Sequence, residues 1–167
     1  MLAIIDAAYS ENSSAAACVT ATGWEASHTQ DEFIFQSGRP AAYEPGQFFK
    51  RELPLLLGAL AKLPRRPEIV VIDGYVWLDG DSRPGLGAHL YEALEEKCAV
   101  VGIAKTAFAS AADWSEPVLR GVSRSPLYVT AAGITRSQAA SGVARMHGKF
   151  RVPTLVRRAD RLARQAL

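Results

Sequence analysis

An α/β fold built on one mixed sheet is what this sequence predicts, and three observations predict it. Short apolar runs of strand length open the chain and return at intervals, segments with helical spacing lie between the later runs, and glycine or proline punctuates the joints. With 167 residues, 49% of them hydrophobic and 22% charged, the chain is long enough for one well-buried core, and a single domain over residues 1–167 is expected.

The run at 2–9 is apolar with one charge inside it, which suits a central strand and makes Asp6 conspicuous. Residues 15–22 and 31–35 are further strand candidates around Gly23 and Ser27, so the first forty residues read as an antiparallel meander. Phe49, Leu53, Leu56, Leu57, Leu60 and Leu63 then recur at helical spacing, with Pro54 marking a first turn or a kink and Pro64 and Pro67 ending the helix. A buried strand at 69–73 finishes on Asp73, a helix follows over 86–96, and a third buried strand at 98–104 ends at Lys105. Residues 126–130 add an edge strand, and helices over 135–147 and 153–166 complete the series. The order gives a mixed sheet, antiparallel meander first and parallel strands after it, flanked by helices. It is the order found in the ribonuclease H-like fold.

No apolar run approaches the roughly 20 residues of a bilayer span, and no signal-peptide pattern opens the chain, so a cytoplasmic protein without membrane contact is expected. Cys18 and Cys98 lie in apolar strand-like runs and read as buried free thiols. The net charge of +2 conceals an uneven distribution: 16 acidic and 9 basic residues up to Leu119, then 10 basic residues and the single acid Asp160 from Arg120 onward. An acidic part followed by a basic one suits a protein that holds cations in one place and polyanions in another; a solvated, arginine-rich helix is the plainer reading.

Asp6 and Asp73 share a physical problem. An ionised carboxylate at or inside a hydrophobic strand is costly unless it is paired or bound to a cation, and two of them on adjacent strands ask for a shared one. Hard cations such as Mg2+ take oxygen ligands and leave positions for water and phosphate. Glu52 is placed to join them from the start of the intervening helix. The alternative is ordinary turn chemistry, with Asp6 capping a turn and Asp73 opening an Asp-Gly turn.

Tyr43-x-Pro-Gly46, Phe49-x-Arg51-Glu52-x-Pro54, Ile72-Asp73-Gly74, Ala88-His89-Leu90, the segment from Val101 to Lys105, the segment from Pro126 to Val129 and Arg157-x-Ala-Asp160 occur in that order. Together they resemble the motif series of the endonuclease V family. The resemblance implies a ribonuclease H-like fold and Mg2+- or Mn2+-dependent hydrolysis of a DNA or RNA strand near a deaminated base, typically hypoxanthine, by a protein expected to act as a monomer. Carried over, Asp6, Glu52 and Asp73 match the metal-binding carboxylates, and Lys105 matches a lysine that contacts phosphate. Tyr43 matches the aromatic wedge beside the lesion, and Gly46 lets backbone approach the nucleotide. Gly74 and Tyr75 fall where the family shapes its base pocket. Asp160 either approaches the metal site or pairs with the arginines around it, the reading favoured here. His89 reads as a packed, hydrogen-bonded histidine.

Three departures accompany the match. The family's Asp-Gly-His-Gly followed by His-Pro-Arg is here a segment from Asp73 to Pro84 without either histidine, in which Tyr75, Trp77, Asp79 and Asp81 change the bulk and charge of the pocket. Ala42 stands where a proline usually precedes the wedge tyrosine, and the chain opens almost directly on the first catalytic strand, without the additional helix of family members. The altered loop keeps two other readings open: a non-catalytic nucleic-acid-binding module of the same fold, and a phosphohydrolase of small nucleotides, against which the arginines after Arg120 argue.

Overall fold

The computed structural model describes residues 1–40, 46–47, 49–80 and 83–167. Strands β1 (Leu2–Tyr9), β2 (Ser14–Ala21) and β3 (Glu32–Ser37) form the anticipated meander, and helix α1 (Phe49–Leu60) leads to β4 (Ile69–Asp73). A small hairpin of β5 (Trp77–Asp79) and β6 (Arg83–Pro84) precedes α2 (Leu86–Ala93) and β7 (Ala99–Ala104). A 3-10 turn (Ala109–Trp114), β8 (Glu116–Val118), β9 (Leu127–Ala132), α3 (Arg136–Arg145) and α4 (Thr154–Gln165) follow. Among the described residues the main sheet has seven strands in the order β3-β2-β1-β4-β7-β9-β8, with β1, β4 and β7 parallel and the remaining pairs antiparallel. This is the mixed α/β sheet that the sequence predicts.

The sequence reading does not anticipate the hairpin of β5 and β6, α2 ends at Ala93 rather than at 96, and two further details differ from that reading. β9 is not an edge strand: β8 pairs along its outer side, three residues with a proline at the centre that carry almost no periodic signal. Helix α1 stops at Leu60, and the last apolar position of its pattern, Leu63, lies in a tighter terminal turn. Pro54 sits inside α1.

Alternation along the strands divides the core in two. Leu2, Ile4, Val71, Val101, Ile103 and Val129 face α3 and α4, burying Val143, Leu155, Val156, Ala159 and Leu162. Their neighbours Ala3, Ile5, Val70, Ile72 and Val100 face α1 and α2, against Leu55, Leu56, Ala59 and Leu90. Cys18 and Cys98 are buried free thiols on this second face, where burial pushes their pKa values up to about 12 and about 11. Among the described residues no helix is long and apolar enough to cross a membrane.

Leu56 fixes α1 against the sheet and is 1% exposed. Leu56→Ala is expected to lower the unfolding free energy by about 2–5 kcal/mol, measured by urea titration.

Candidate active site

Strand alternation decides where the charged side chains go. Asp6 shares the parity of Ile4 on β1, Asp73 that of Val71 on β4, and Lys105 that of Ile103 on β7, so all three project on the α3/α4 face. The parallel ladder pairs Ile5 with Ile72 and Asp73 with Ile103. Asp6 and Asp73 are therefore the next residues along two neighbouring strands, at the carboxyl end of the parallel part of the sheet. Glu52 enters from the first turn of α1, and the charges of Asp6 and Asp73 both act on it.

The electrostatics record the crowding. Burial raises the Asp6 pKa to about 7, assisted by the charges of Asp73 and Asp160, although the Ala7 N–H donates to Oδ1 at 2.8 Å and Lys105 opposes the rise. Burial also raises Glu52 to about 7, with Asp6 and Asp73 adding to the effect and Tyr9 and Arg51 opposing it. The Tyr9 hydroxyl is buried without a hydrogen bond of good geometry, close enough to the Glu52 carboxylate to be felt by it, and burial followed by that charge raises its own pKa. The Arg51 guanidinium stacks over the Tyr9 ring at 4.3 Å. Lys105 forms an ion pair with Asp73; burial lowers the lysine pKa, but this pairing, with Asp6 and Asp160 beyond it, leaves it above the usual value.

Asp160 does both things open to it in the sequence. It accepts from Arg164 Nε at 2.7 Å, one turn along α4, and its charge reaches Asp6 and Lys105. Among the described residues no three acidic, histidine or cysteine side chains close tightly enough on one point to form a ready-made metal cage. Asp73 is turned toward Lys105 instead.

The segment after Asp73 is held from below. Gly74 has a φ of +134°, its N–H donates to Ile103 O at 3.0 Å, and the Val76 N–H donates to Thr130 Oγ1 at 2.8 Å. A β-carbon on Gly102 would lie 2.4 Å from Gly74 O, so β7 needs glycine where the loop after Asp73 crosses it. The Tyr75 hydroxyl donates to Thr106 O at 2.9 Å and accepts from Phe108 N at 3.1 Å. Tyr75 thus braces the segment after Lys105 against the one after Asp73.

The structure therefore brings together Asp6, Glu52, Asp73 and Lys105, with Gly74 and Tyr75 in the adjoining loop. Gly46 is exposed at a turn before α1 with a φ of +76°, and Tyr43 lies outside the described residues, as does Asp81. His89 stacks on Phe49 with ring centroids 3.7 Å apart, as a packed histidine should. Sequence reasoning missed Tyr9, Arg51 as a contributor and Thr130; only Arg51, beside Glu52 in a motif block, carried a usable signal.

Comparison with known proteins decides the family: the endonuclease V family model matches residues 1–132. The chain belongs to the endonuclease V family. The endonuclease V of Rhodospirillum centenum is 33% identical over 147 residues, which cover 74% of this chain and 59% of that protein. The chain thus spans less than two thirds of that relative's length. The crystal structure of endonuclease V from Streptomyces avermitilis superposes with a TM-score of 0.75 at 26% identity, covering 99% of this chain and 80% of that one. That of Ciona intestinalis, solved with a 24mer DNA containing an inosine followed by a ribo-adenosine, shares the fold at 16% identity, with a TM-score of 0.79, over 98% of this chain and 84% of that one.

The raised carboxylate pKa values have a pH consequence. Asp6 and Glu52 move from ordinary values of 3.8 and 4.5 to about 7, so the folded state holds protons that the unfolded chain releases. Their contribution to stability is complete below about pH 4 and is lost as pH rises through about 7. In chelator, Tm is expected to fall between pH 5 and pH 8, by an amount corresponding to a few kcal/mol. Asp6→Asn should flatten that slope and raise Tm at pH 8; an unchanged slope would contradict the assignment.

Proposed function

We propose that this chain is a divalent-metal-dependent endonuclease that hydrolyses a phosphodiester near a deaminated base, hypoxanthine or inosine, in DNA or RNA. The observation that carries this reading is the convergence of carboxylates at the carboxyl end of β1 and β4: burial first, and then the charge of their acidic neighbours, raises Asp6 and Glu52 to about 7. Family membership supports it, and the Ciona intestinalis relative was solved with inosine-containing DNA.

The donor set fits a hard divalent cation. It consists of carboxylate oxygens without sulfur or imidazole, and Lys105 by itself neutralises only part of its charge. Asp6, Glu52 and Asp73 would hold Mg2+ or Mn2+, with Asp160 as an outer carboxylate. When bound, such an ion lowers the pKa of water and offsets the charge that develops on the phosphoryl oxygens.

The chain's own residues do the rest. Lys105, which pairs with Asp73 at the end of β7, would place its ammonium on a phosphate oxygen beside the scissile bond. Gly74 and Tyr75 line the floor reached by the displaced base, Gly46 allows close backbone approach, and Tyr43 fills the gap in the stack. Arg51 and Tyr9 position Glu52. The protein acts as a monomer in the cytoplasm.

The test is incubation of the purified protein with Mg2+ or Mn2+ and end-labelled DNA and RNA strands carrying one inosine. Cleavage to 3'-hydroxyl and 5'-phosphate ends is expected. Asp73→Asn should reduce the rate roughly a thousandfold or more, and Lys105→Ala about a hundred- to a thousandfold. Salt-sensitive binding without cleavage by the wild type would instead mark a non-catalytic nucleic-acid-binding module.

A further inference from the structure

The segment joining α3 to α4 and the start of α4 enclose a pocket of about 560 Å3 lined by His147, Lys149, Phe150, Thr154, Arg157 and Arg161 among others. Its chemistry is unlike that of the carboxylate cluster. Phe150 is 53% exposed, and two cations flank its ring: the Arg157 guanidinium 5.1 Å and the Lys149 ammonium 5.5 Å from the centroid. Whereas Arg158 and Arg164 are paired with Glu32 and Asp160, no ion pair among the described residues engages Lys149, Arg157 or Arg161.

This segment is rigidly built. Arg120, only 5% exposed, donates to the carbonyls of Phe150 at 3.0 Å, Arg151 at 3.1 Å and Gly148 at 3.2 Å, and also to that of Met146. Arg151 in turn donates to the Lys105 carbonyl, and to that of Pro126 at 2.6 Å. A buried guanidinium donating to backbone carbonyls holds the main chain that carries the exposed phenyl ring, while Arg157 and Lys149 lie beside the ring itself. The same network ties that ring to the main chain of the candidate phosphate-contacting lysine.

We propose that Phe150, with Lys149, Arg157 and Arg161, is a stacking and phosphate subsite for a single-stranded stretch of nucleic acid beyond the scissile bond. A fixed aromatic face accepts any base, and unpaired cations on its rim accept the flanking phosphates, so the subsite reads no sequence. Arg157 and Arg161 also line a neighbouring pocket with Asp160, whose charge reaches Asp6 and Lys105, so the two arginines lie between the Phe150 pocket and the acid of α4 nearest the carboxylate cluster. The assignment rests on the endonuclease reading for its role in cleavage, but not for its binding chemistry.

Fluorescence anisotropy in chelator, with labelled single-stranded oligothymidylate about twelve nucleotides long and an abasic strand of equal length, tests it. Phe150→Ala should weaken oligothymidylate binding about 5- to 100-fold and leave the abasic strand unaffected, with Phe150→Tyr restoring affinity. Lys149→Ala should weaken both strands and reduce the slope of log K against log salt by about one. Wild-type affinity of Phe150→Ala for oligothymidylate, or an equal loss on both strands, would overturn the proposal. Binding to phosphatidylserine vesicles but to neither oligonucleotide would also overturn it, since the patch would then be a lipid surface. Because no hydrolysis occurs in chelator, the two readings fail separately. A protein that binds through Phe150 yet cleaves nothing keeps the subsite and loses the nuclease; one that cleaves while Phe150→Ala binds normally does the reverse.

Discussion

The constraint around which the site is organised is the burial of like-charged carboxylates at one end of a hydrophobic sheet. Asp6 and Asp73 extend two adjacent parallel strands whose preceding residues are among the most buried in the protein, and Glu52 is directed at them from α1. Nothing in the packing rewards that arrangement: each carboxylate loses hydration and gains a like charge as neighbour. It persists because the surrounding fold over-determines it. The ladders fix the strand ends, Leu55 and Leu56 fix α1, and Lys105 offsets one charge. The cluster is therefore a destabilising feature maintained by the rest of the core, as expected where charge is stored for binding and chemistry.

Two supports keep the cluster in register with what surrounds it. On one face of the sheet, Gly102 and Thr130 receive the loop after Asp73, so that the side chain of Asp73 and the backbone of Gly74 are set by β7 and β9 as well as by β4. On the other, Arg120 and Arg151 bind main-chain carbonyls and connect the segment before α4 to Lys105. Tyr75 joins these supports from above, through its hydroxyl, to the segment containing Phe108. The substituted loop thus takes from an aromatic hydroxyl and two backbone groups the order that a histidine-containing loop would have to obtain otherwise.

How much of this could be read beforehand follows from what each residue does. Asp6 and Asp73 were visible because a charge inside an apolar strand violates a simple expectation, and the strands themselves because they are short apolar runs bounded by turn residues. Glu52 was one acid among many until the motif series singled it out, since an acidic residue in a first helical turn is ordinary. Tyr9 was not legible: its importance lies in strand parity, which turns it toward α1 while Asp6 turns toward α4. β8 escaped because three residues cannot establish a period, and its presence moves β9 from the edge to the interior. Arg120 entered only as one of ten basic residues in the last part of the chain, whereas its guanidinium is buried on carbonyls that only the folded chain brings together.

Helix α4 shows why the acidic and basic parts of the sequence need not form separate regions in space. Leu155, Val156, Ala159, Leu162 and Ala163 bury one side of it against the sheet, which leaves a fixed strip for every charge the helix carries. Asp160 lies on that strip within reach of Asp6, with Arg157 and Arg161 beside it and Arg164 paired to it. Positions three before, one after and four after Asp160 are its neighbours on the helix, and in this sequence all three are arginines. The element that adds a negative charge to the cluster therefore also carries positive charge beside it, a distribution in which a cation and a polyanion could be held side by side.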